Sequence, residues 1–377
     1  MTQTLDILDR LIAFDTVSAK SNLALIAYVE DFLKTRGFAV THIADPKAEK
    51  AGLYAKIGPE GAGVMLSAHT DVVPVEGQVW TRDPFRLTTE GDRLYGRGTT
   101  DMKGFLASML AAADRATTRE LKEPLKLAIS YDEEIGCLGI ANMIDALEPA
   151  LGAPRACIVG EPTEMEVAIG HKGKQALKAI CHGTAGHSAL APRFANALYV
   201  AADLIQGLRA LQDDLAENGA QDDAYAVPYT TVHAGRLNGG MALNIVPDRA
   251  ELLFEFRHLA ADSPDMLMAR ITALAAKVSA HYDADPIEIE SFFAYPGLAT
   301  EPDAEVTRLV QRLARTQTLT KVTYGTEAGF FDGRGVPTVV CGPGSMEGQG
   351  HKPDEYIDRA QLEACDQMMD AVLDDLA

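Results

Sequence analysis

The sequence predicts an α/β protein with a mostly parallel central sheet, carrying an inserted βαββαβ module of the ferredoxin-like kind. Three observations lead there. Short apolar runs, each ending in a polar or glycine-rich segment, alternate with helical patterns through the first part of the chain. Those runs are apolar at consecutive positions, as strands covered on both faces require. Between residues 174 and 288 the rhythm changes to strand, helix, two strands, helix, strand. The expected organisation is therefore an outer domain of residues 1–173 and 289–377 around an insert of 174–288.

Residues 4–14 have a helical pattern. A clearer helix follows Ser21, with Leu25, Ile26, Val29, Phe32 and Leu33 on one face and Gly37 as its stop. The run Val64–Ala68 leads into His69, and a helix is expected from Asp101 to about Thr117. Leu125–Tyr131 then leads into Asp132, Glu133 and Glu134, and Ala156–Val159 into Gly160 and Glu161. In the insert, 174–183 is a strand and 195–213 a helix. Residues 229–236 and 241–257 form a hairpin turning at Asn238-Gly239-Gly240. Ser263-Pro264, a cap followed by a first-turn proline, starts a helix that runs to about 281, and 286–292 is the last strand. Amphipathic helices over 301–316 and 360–376 flank the run Pro337–Cys341, whose loop reaches His351.

Composition narrows the function classes. Of 377 residues 47% are apolar, enough for a substantial core, while 34 basic against 54 acidic residues give a net charge of -20. That charge disfavours nucleic acid and anionic membrane as partners. The five cysteines are odd in number and contain no C-x-x-C pair, which fits buried thiols in a reducing compartment. The start MTQTLDILDR has neither the basic nor the apolar region of a signal peptide, and no apolar run approaches ~20 residues, so a cytoplasmic protein is expected. Glycine-rich segments lack the G-K-[ST] ending of a P-loop, and neither G-x-S-x-G nor H-E-x-x-H occurs.

The positions of the polar residues carry more. His69, Glu133-Glu134, Glu161 and His351 all follow the ends of expected strands, and Asp101 follows the loop GRGTTD. In an open α/β sheet such ends share one crevice. Two imidazoles and four carboxylates there would repel as bare charges, and divalent cations resolve the conflict. Mixed imidazole and carboxylate donors suit zinc, with cobalt or manganese as substitutes. Asp71, two residues after His69, is placed to accept the second imidazole N–H. Adjacent glutamates point different ways in an extended chain, so one of Glu133 and Glu134 can hold metal while the other serves as a base.

The segments SAHTDVVP (67–74), GRGTTDMKG (96–104), SYDEEIGCLG (130–139) and GEPTE (160–164) resemble the di-zinc metallopeptidase and aminoacylase family over essentially the whole chain. The resemblance implies two divalent ions, zinc or cobalt, bridged by Asp101. His69 and Glu161 would complete one site, and Glu134 and His351 the other. Glu133 would be the general base and Asp71 the orienting carboxylate. It further implies a homodimer formed through the insert as a dimerisation or lid domain. His187, in GTAGHSALAP (183–192), would reach the partner's active site and stabilise the oxyanion, while Asn244 and Arg257 would bind the substrate's carboxylate end. The activity implied is hydrolysis of the amide bond of a small N-acyl-L-amino acid.

Segments such as GRLNGGMALNIVPDRAELLFEFR and YGTEAGFF are most similar to the members acting on N2-acetyl-L-ornithine, with Glu327 placed to meet the side-chain ammonium. Succinyl-diaminopimelate, other acyl-amino acids and dipeptides are the alternative substrates. A non-catalytic amino-acid-binding protein that keeps a metal is the alternative from another class, and an intact Glu133 argues against it.

Overall fold

The computed structural model describes residues 2–377. The chain divides into two compact units. One is built from the residues up to Gly170, Leu298–Val322 and Thr326–Ala377, the other from His171–Gly297 and Thr323–Gly325.

In the first unit, four strands form a parallel centre in the order Leu125–Ser130, Val64–His69, Ala156–Val159, Thr338–Val340. Antiparallel strands flank them: Ala51–Ile57 and Ala39–Ala44 on one side, Val167–His171 on the other. Every residue of Val64–His69 and Leu125–Ser130 is buried, as mostly apolar strands covered on both faces require, and the polar Ser67, Lys126 and Ser130 are buried with them. Helix Lys103–Ala116 is buried almost all round, packed against helices Thr2–Ile12 and Arg359–Leu376 and against strand Val64–His69. Leu66, Phe105, Leu127, Ile158 and Met368 belong to the resulting core. The register sets His69 opposite Ser130 and Ser67 opposite Val159, so the loops that follow these strands open at one edge of the sheet. A small antiparallel sheet of Thr88–Glu90, Arg93–Tyr95 and Tyr356–Asp358 ties the segment after His351 to the segment before Asp101.

The second unit is a βαββαβ module. Its sheet runs Thr231–Gly239, Arg249–His258, Gly173–His182, Glu288–Tyr295, all antiparallel. Burial alternates along Arg249–His258, and Ala250, Leu252, Phe254 and Phe256 share a core with Leu204, Leu208 and Ile271 of helices Ala197–Asn218 and Pro264–His281.

Two local expectations are corrected. The segment Asn238-Gly239-Gly240 is not a tight hairpin turn: the strand runs through Gly239, pairing with Ala250, and the return strand begins only at Arg249. A Cβ on Gly239 would approach the Ala250 Cβ to 2.8 Å, so glycine there serves close packing. The intervening loop contributes Ile245–Val246, which pairs with Gly186–His187. Asp101 does not open the following helix, which starts at Lys103 after Met102. The edge strands Ala39–Ala44 and Ala51–Ile57 were not apparent from pattern. No helix among the described residues is long and apolar enough to cross a membrane, and all five cysteines are buried and free of disulfides.

Candidate metal centre

His69, Asp71, Asp101, Glu133, Glu134, Glu161, Glu327 and His351 all lie in the first unit, and the structure brings the six proposed for metal and base chemistry together. The Asp101 carboxylate stands between two imidazoles: Oδ1 is 3.0 Å from His69 Nε2 and Oδ2 is 3.1 Å from His351 Nε2. His69 Nε2 also lies 3.5 Å from Glu161 Oε1, and His351 Nε2 lies 3.0 Å from Glu134 Oε2. Donor atoms of His69, Glu133 and Glu161 fall within 4.8 Å of one another, as do those of His69, Asp101 and Glu134. The second imidazole nitrogen of His69 faces the backbone carbonyl of Asp71 at 3.0 Å, closer than that residue's carboxylate at 3.5 Å.

Asp71 has a different principal task from the one its spacing suggests. Its carboxylate accepts the backbone N–H of Glu133 at 3.0 Å and of Glu134 at 3.3 Å, and the Ser18 hydroxyl at 2.7 Å. It therefore fixes the loop that carries both glutamates.

Electrostatics show what the cluster lacks. Burial and neighbouring charges, Asp101 first among them, push the Glu161 carboxyl well above the usual range. Burial and the Asp101 charge push Glu134 up to about 7. Burial opposes ionisation of Asp101 as well, but the facing His351 and His69 outweigh it and hold its carboxyl low. Hydrogen bonds to Asp101 and Glu134 push His351 up to about 10. Burial disfavours charge on His69, yet Glu161, Asp101 and Asp71 together raise it well above its ordinary value. Glu134 Oε1 and Glu161 Oε1 are buried without a hydrogen-bond donor. Orphaned carboxylate oxygens beside imidazoles that share protons with acids are what a site built for cations presents. Two imidazoles and the carboxylates fit zinc-type ions by donor chemistry.

Glu327 is 1% exposed. Burial pushes it up to about 7, Oε2 is 3.5 Å from the Ser67 hydroxyl, and Oε1 has no hydrogen-bond partner. The other three expected residues lie in the second unit. His187 and Asn244 are exposed neighbours, joined where Ser188 N–H donates to the Asn244 carbonyl at 3.1 Å, and His187 Nδ1 accepts from Ala189 N–H at 3.1 Å. Arg257 lies apart from them on strand Arg249–His258, half-buried, with Nε donating to Glu255 at 3.0 Å.

Sequence reading missed two residues around Asp101. Glu355 is a buried carboxylate that accepts from Arg97, Gly98, Thr100 and Asp101. Lys103 is fully buried and donates to the carbonyls of Leu11 and Phe14, and burial pushes it down to about 7. A charged residue just before the mostly apolar run Phe105–Ala113 was the available signal for Lys103.

The chain is 34% identical over 361 residues to an acetylornithine deacetylase of Shigella sonnei (strain Ss046), covering 94% of this chain and 92% of that protein. Among solved structures, an M20 family metallo-carboxypeptidase, Sso-CP2, from Sulfolobus solfataricus shares the fold with a TM-score of 0.81 at 20% identity, each chain covered to 99%. A dinuclear metal-binding M20 peptidase from Bacillus subtilis matches with a TM-score of 0.72 at 18% identity, over 100% of this chain and 98% of its own. Residues 65–375 match the peptidase family M20/M25/M40, and the chain belongs to that family of hydrolases.

Proposed function

We propose that the chain hydrolyses the amide bond of N-acyl-L-amino acids, with N2-acetyl-L-ornithine as its principal substrate, giving acetate and L-ornithine. The observation that carries the chemistry is the Asp101 carboxylate set between His69 and His351, beside the orphaned oxygens of Glu134 and Glu161. The likeness to an acetylornithine deacetylase supports the substrate.

Two zinc ions, or cobalt in their place, would be held by His69, Asp101 and Glu161 and by Asp101, Glu134 and His351. Bound there, they supply Lewis acidity at the scissile carbonyl and lower the pKa of water from 15.7 towards ~7. Glu133 takes the proton of the attacking water as its oxygen bonds to the carbonyl carbon. When the C–N bond breaks, Glu133 returns that proton to the leaving amine. Burial and the charges of Glu134, Asp101 and Glu327 make the Glu133 carboxylate a stronger base than a free one, which favours proton uptake from the water. Asp71 keeps the glutamate loop in place.

His187, supplied by the second copy in a homodimer, would donate to the developing oxyanion. Exposed Leu190 and Tyr199, near it in the chain, and exposed Met241, Leu243 and Ile245, on the segment whose Ile245 pairs with it, support an interface through the insert. Arg257 would hold the substrate carboxylate through its planar fork, with Asn244 assisting. Glu327 would meet the side-chain ammonium, since a buried carboxyl with an unsatisfied oxygen gains most from a cation.

The test is acetate release from Nα-acetyl-L-ornithine by zinc-loaded protein, beside succinyl release from succinyl-diaminopimelate and acetate release from acetyl-leucine, repeated with Glu327→Gln. The expected result is preference for acetylornithine over acetyl-leucine that shrinks in the variant. A preference for another acyl-amino acid overturns the substrate, and turnover of none of the three overturns the hydrolytic reading.

A further inference from the structure

His351 differs from the other candidate ligands in its support. Its side chain is 45% exposed while that of His69 is 1% exposed, and its backbone sits at φ +60°, in the left-handed region that side-chain-bearing residues rarely adopt. A histidine on such a loop would sample many positions unless something fixes it, and a metal site formed with it would lose affinity accordingly.

A polar chain, buried at its Arg97–Glu355 end and partly open to solvent at Gln78, reaches it from Asp101. Glu355 Oε1 accepts the backbone N–H of Asp101 at 3.2 Å and of Thr100 at 2.9 Å. Its Oε2 accepts the N–H of Gly98 at 3.0 Å and the guanidinium of Arg97 at 2.6 Å. Both partners of that ion pair are 1% exposed. The other arm of Arg97 donates to Gln78 Oε1 at 2.5 Å, and Gln78 Nε2 donates to the His351 backbone carbonyl at 3.0 Å. One continuous path thus joins the main chain at Asp101 to the main chain at His351, the two residues whose side chains meet at 3.1 Å. All four contacts of the Glu355 carboxylate go to the Asp101 loop; Arg97 makes a longer bond to the neighbouring Lys352 carbonyl at 3.4 Å, and Gln78 reaches the main chain of the exposed histidine itself.

We propose that Gln78 is a positioning residue for the cation shared by Asp101, Glu134 and His351 and sets the affinity of that ion without touching the one held by His69 and Glu161, while Arg97 and Glu355 position the Asp101 loop that both ions use. This rests on the reading that two ions occupy the site. A buried Arg–Glu pair is weak evidence for stability on its own, because desolvation offsets its attraction. What it does well is fix geometry, with the charge-assisted bonds holding three backbone N–H groups in one orientation. Removing an outer hydrogen-bond partner of a metal ligand typically weakens binding 10–100-fold.

The test is equilibrium dialysis of the full chain against Zn2+, with bound metal counted by mass spectrometry, for wild type and Gln78→Ala. Gln78 is half-buried and its truncation leaves the Arg97–Glu355 pair intact, so the variant is expected to fold. The expected result is one ion retained within about threefold of its wild-type Kd and the other weakened at least ~10-fold. Glu355→Gln, which keeps the shape and discards the charge, should weaken both ions, because its contacts go to the loop of Asp101, which the two ions share. Two unchanged dissociation constants in Gln78→Ala, or two that shift equally, overturn the proposal. A wild-type chain that binds fewer than two ions overturns the two-ion reading and the proposal with it.

Discussion

Glu133 and Glu134 are neighbours in the chain with different surroundings. Glu134 faces the His351 imidazole at 3.0 Å, while Glu133 accepts only a long contact from the Cys137 thiol, at 3.4 Å. Burial and nearby acids push Glu133 well up, with His69 the main opposing charge. A group so placed changes protonation readily, and replacing it should disturb chemistry more than metal binding. Glu133→Gln is expected to keep its metal content while kcat falls at least ~10²-fold, the usual scale for general acid–base help. Turnover near the wild-type rate, or a loss of metal that accounts for the fall, would remove Glu133 from the role of base. The sequence shows why two adjacent carboxylates should differ, since alternate residues of an extended segment face opposite ways. It cannot show the task of Asp71, because the groups that turn its carboxylate, Ser18 and the N–H groups of Glu133 and Glu134, are brought to it only by the fold.

At the scale of elements, the site depends on how closely helix Lys103–Ala116 approaches the strand ends. A Cβ on Gly160 would come within 2.1 Å of the Phe105 ring, and one on Gly342 within 2.1 Å of the Gly160 carbonyl oxygen. Glycine at 160 lets Phe105 press against the end of strand Ala156–Val159, and glycine at 342 lets the next loop close on the Gly160–Glu161 main chain, where Asp101 and Glu161 both reach His69. Gly160→Ala should therefore cost about 1–3 kcal/mol through overpacking. It should also weaken metal binding, because Glu161 is the next residue. Thermal unfolding in chelator checks the first part and metal titration the second, and an unchanged midpoint would show that the ring can move aside freely. The strands that lead to His69, Glu133 and Glu161 were legible because short, mostly apolar runs that end in polar or glycine-rich segments have few other readings. The hairpin at Asn238-Gly239-Gly240 misled because glycine marks close backbone approach as well as turns. The Arg97–Glu355 pair, separated by 258 positions, leaves no periodic trace at all.

Over the whole molecule, every candidate metal ligand belongs to the first unit, and the second unit has a core of its own from Leu177 to Ile287. Ion binding should therefore stabilise one unit selectively, by about 2.7 kcal/mol at a free metal concentration one hundred times Kd. The pH dependence follows from the shifts. Without metal, the raised pKa of His351 contributes stability that is complete below its ordinary value of 6.5 and fades as pH rises towards about 10. Metal must displace that proton and the one that Glu134, pushed up to about 7, partly holds at neutrality. Affinity should thus weaken as pH falls from 8 to 6, with protons released on binding. Amide hydrogen exchange with and without chelator resolves both points along the chain. Chelation should speed exchange in Val64–His69, Leu125–Ser130 and Ala156–Val159, more at pH 8 than at pH 6 after correction for the intrinsic rate. Gly173–His182 and Arg249–His258 should exchange alike in both conditions. Equal loss of protection in these two strands would mean that the units unfold together and that the ions stabilise the molecule as one cooperative body.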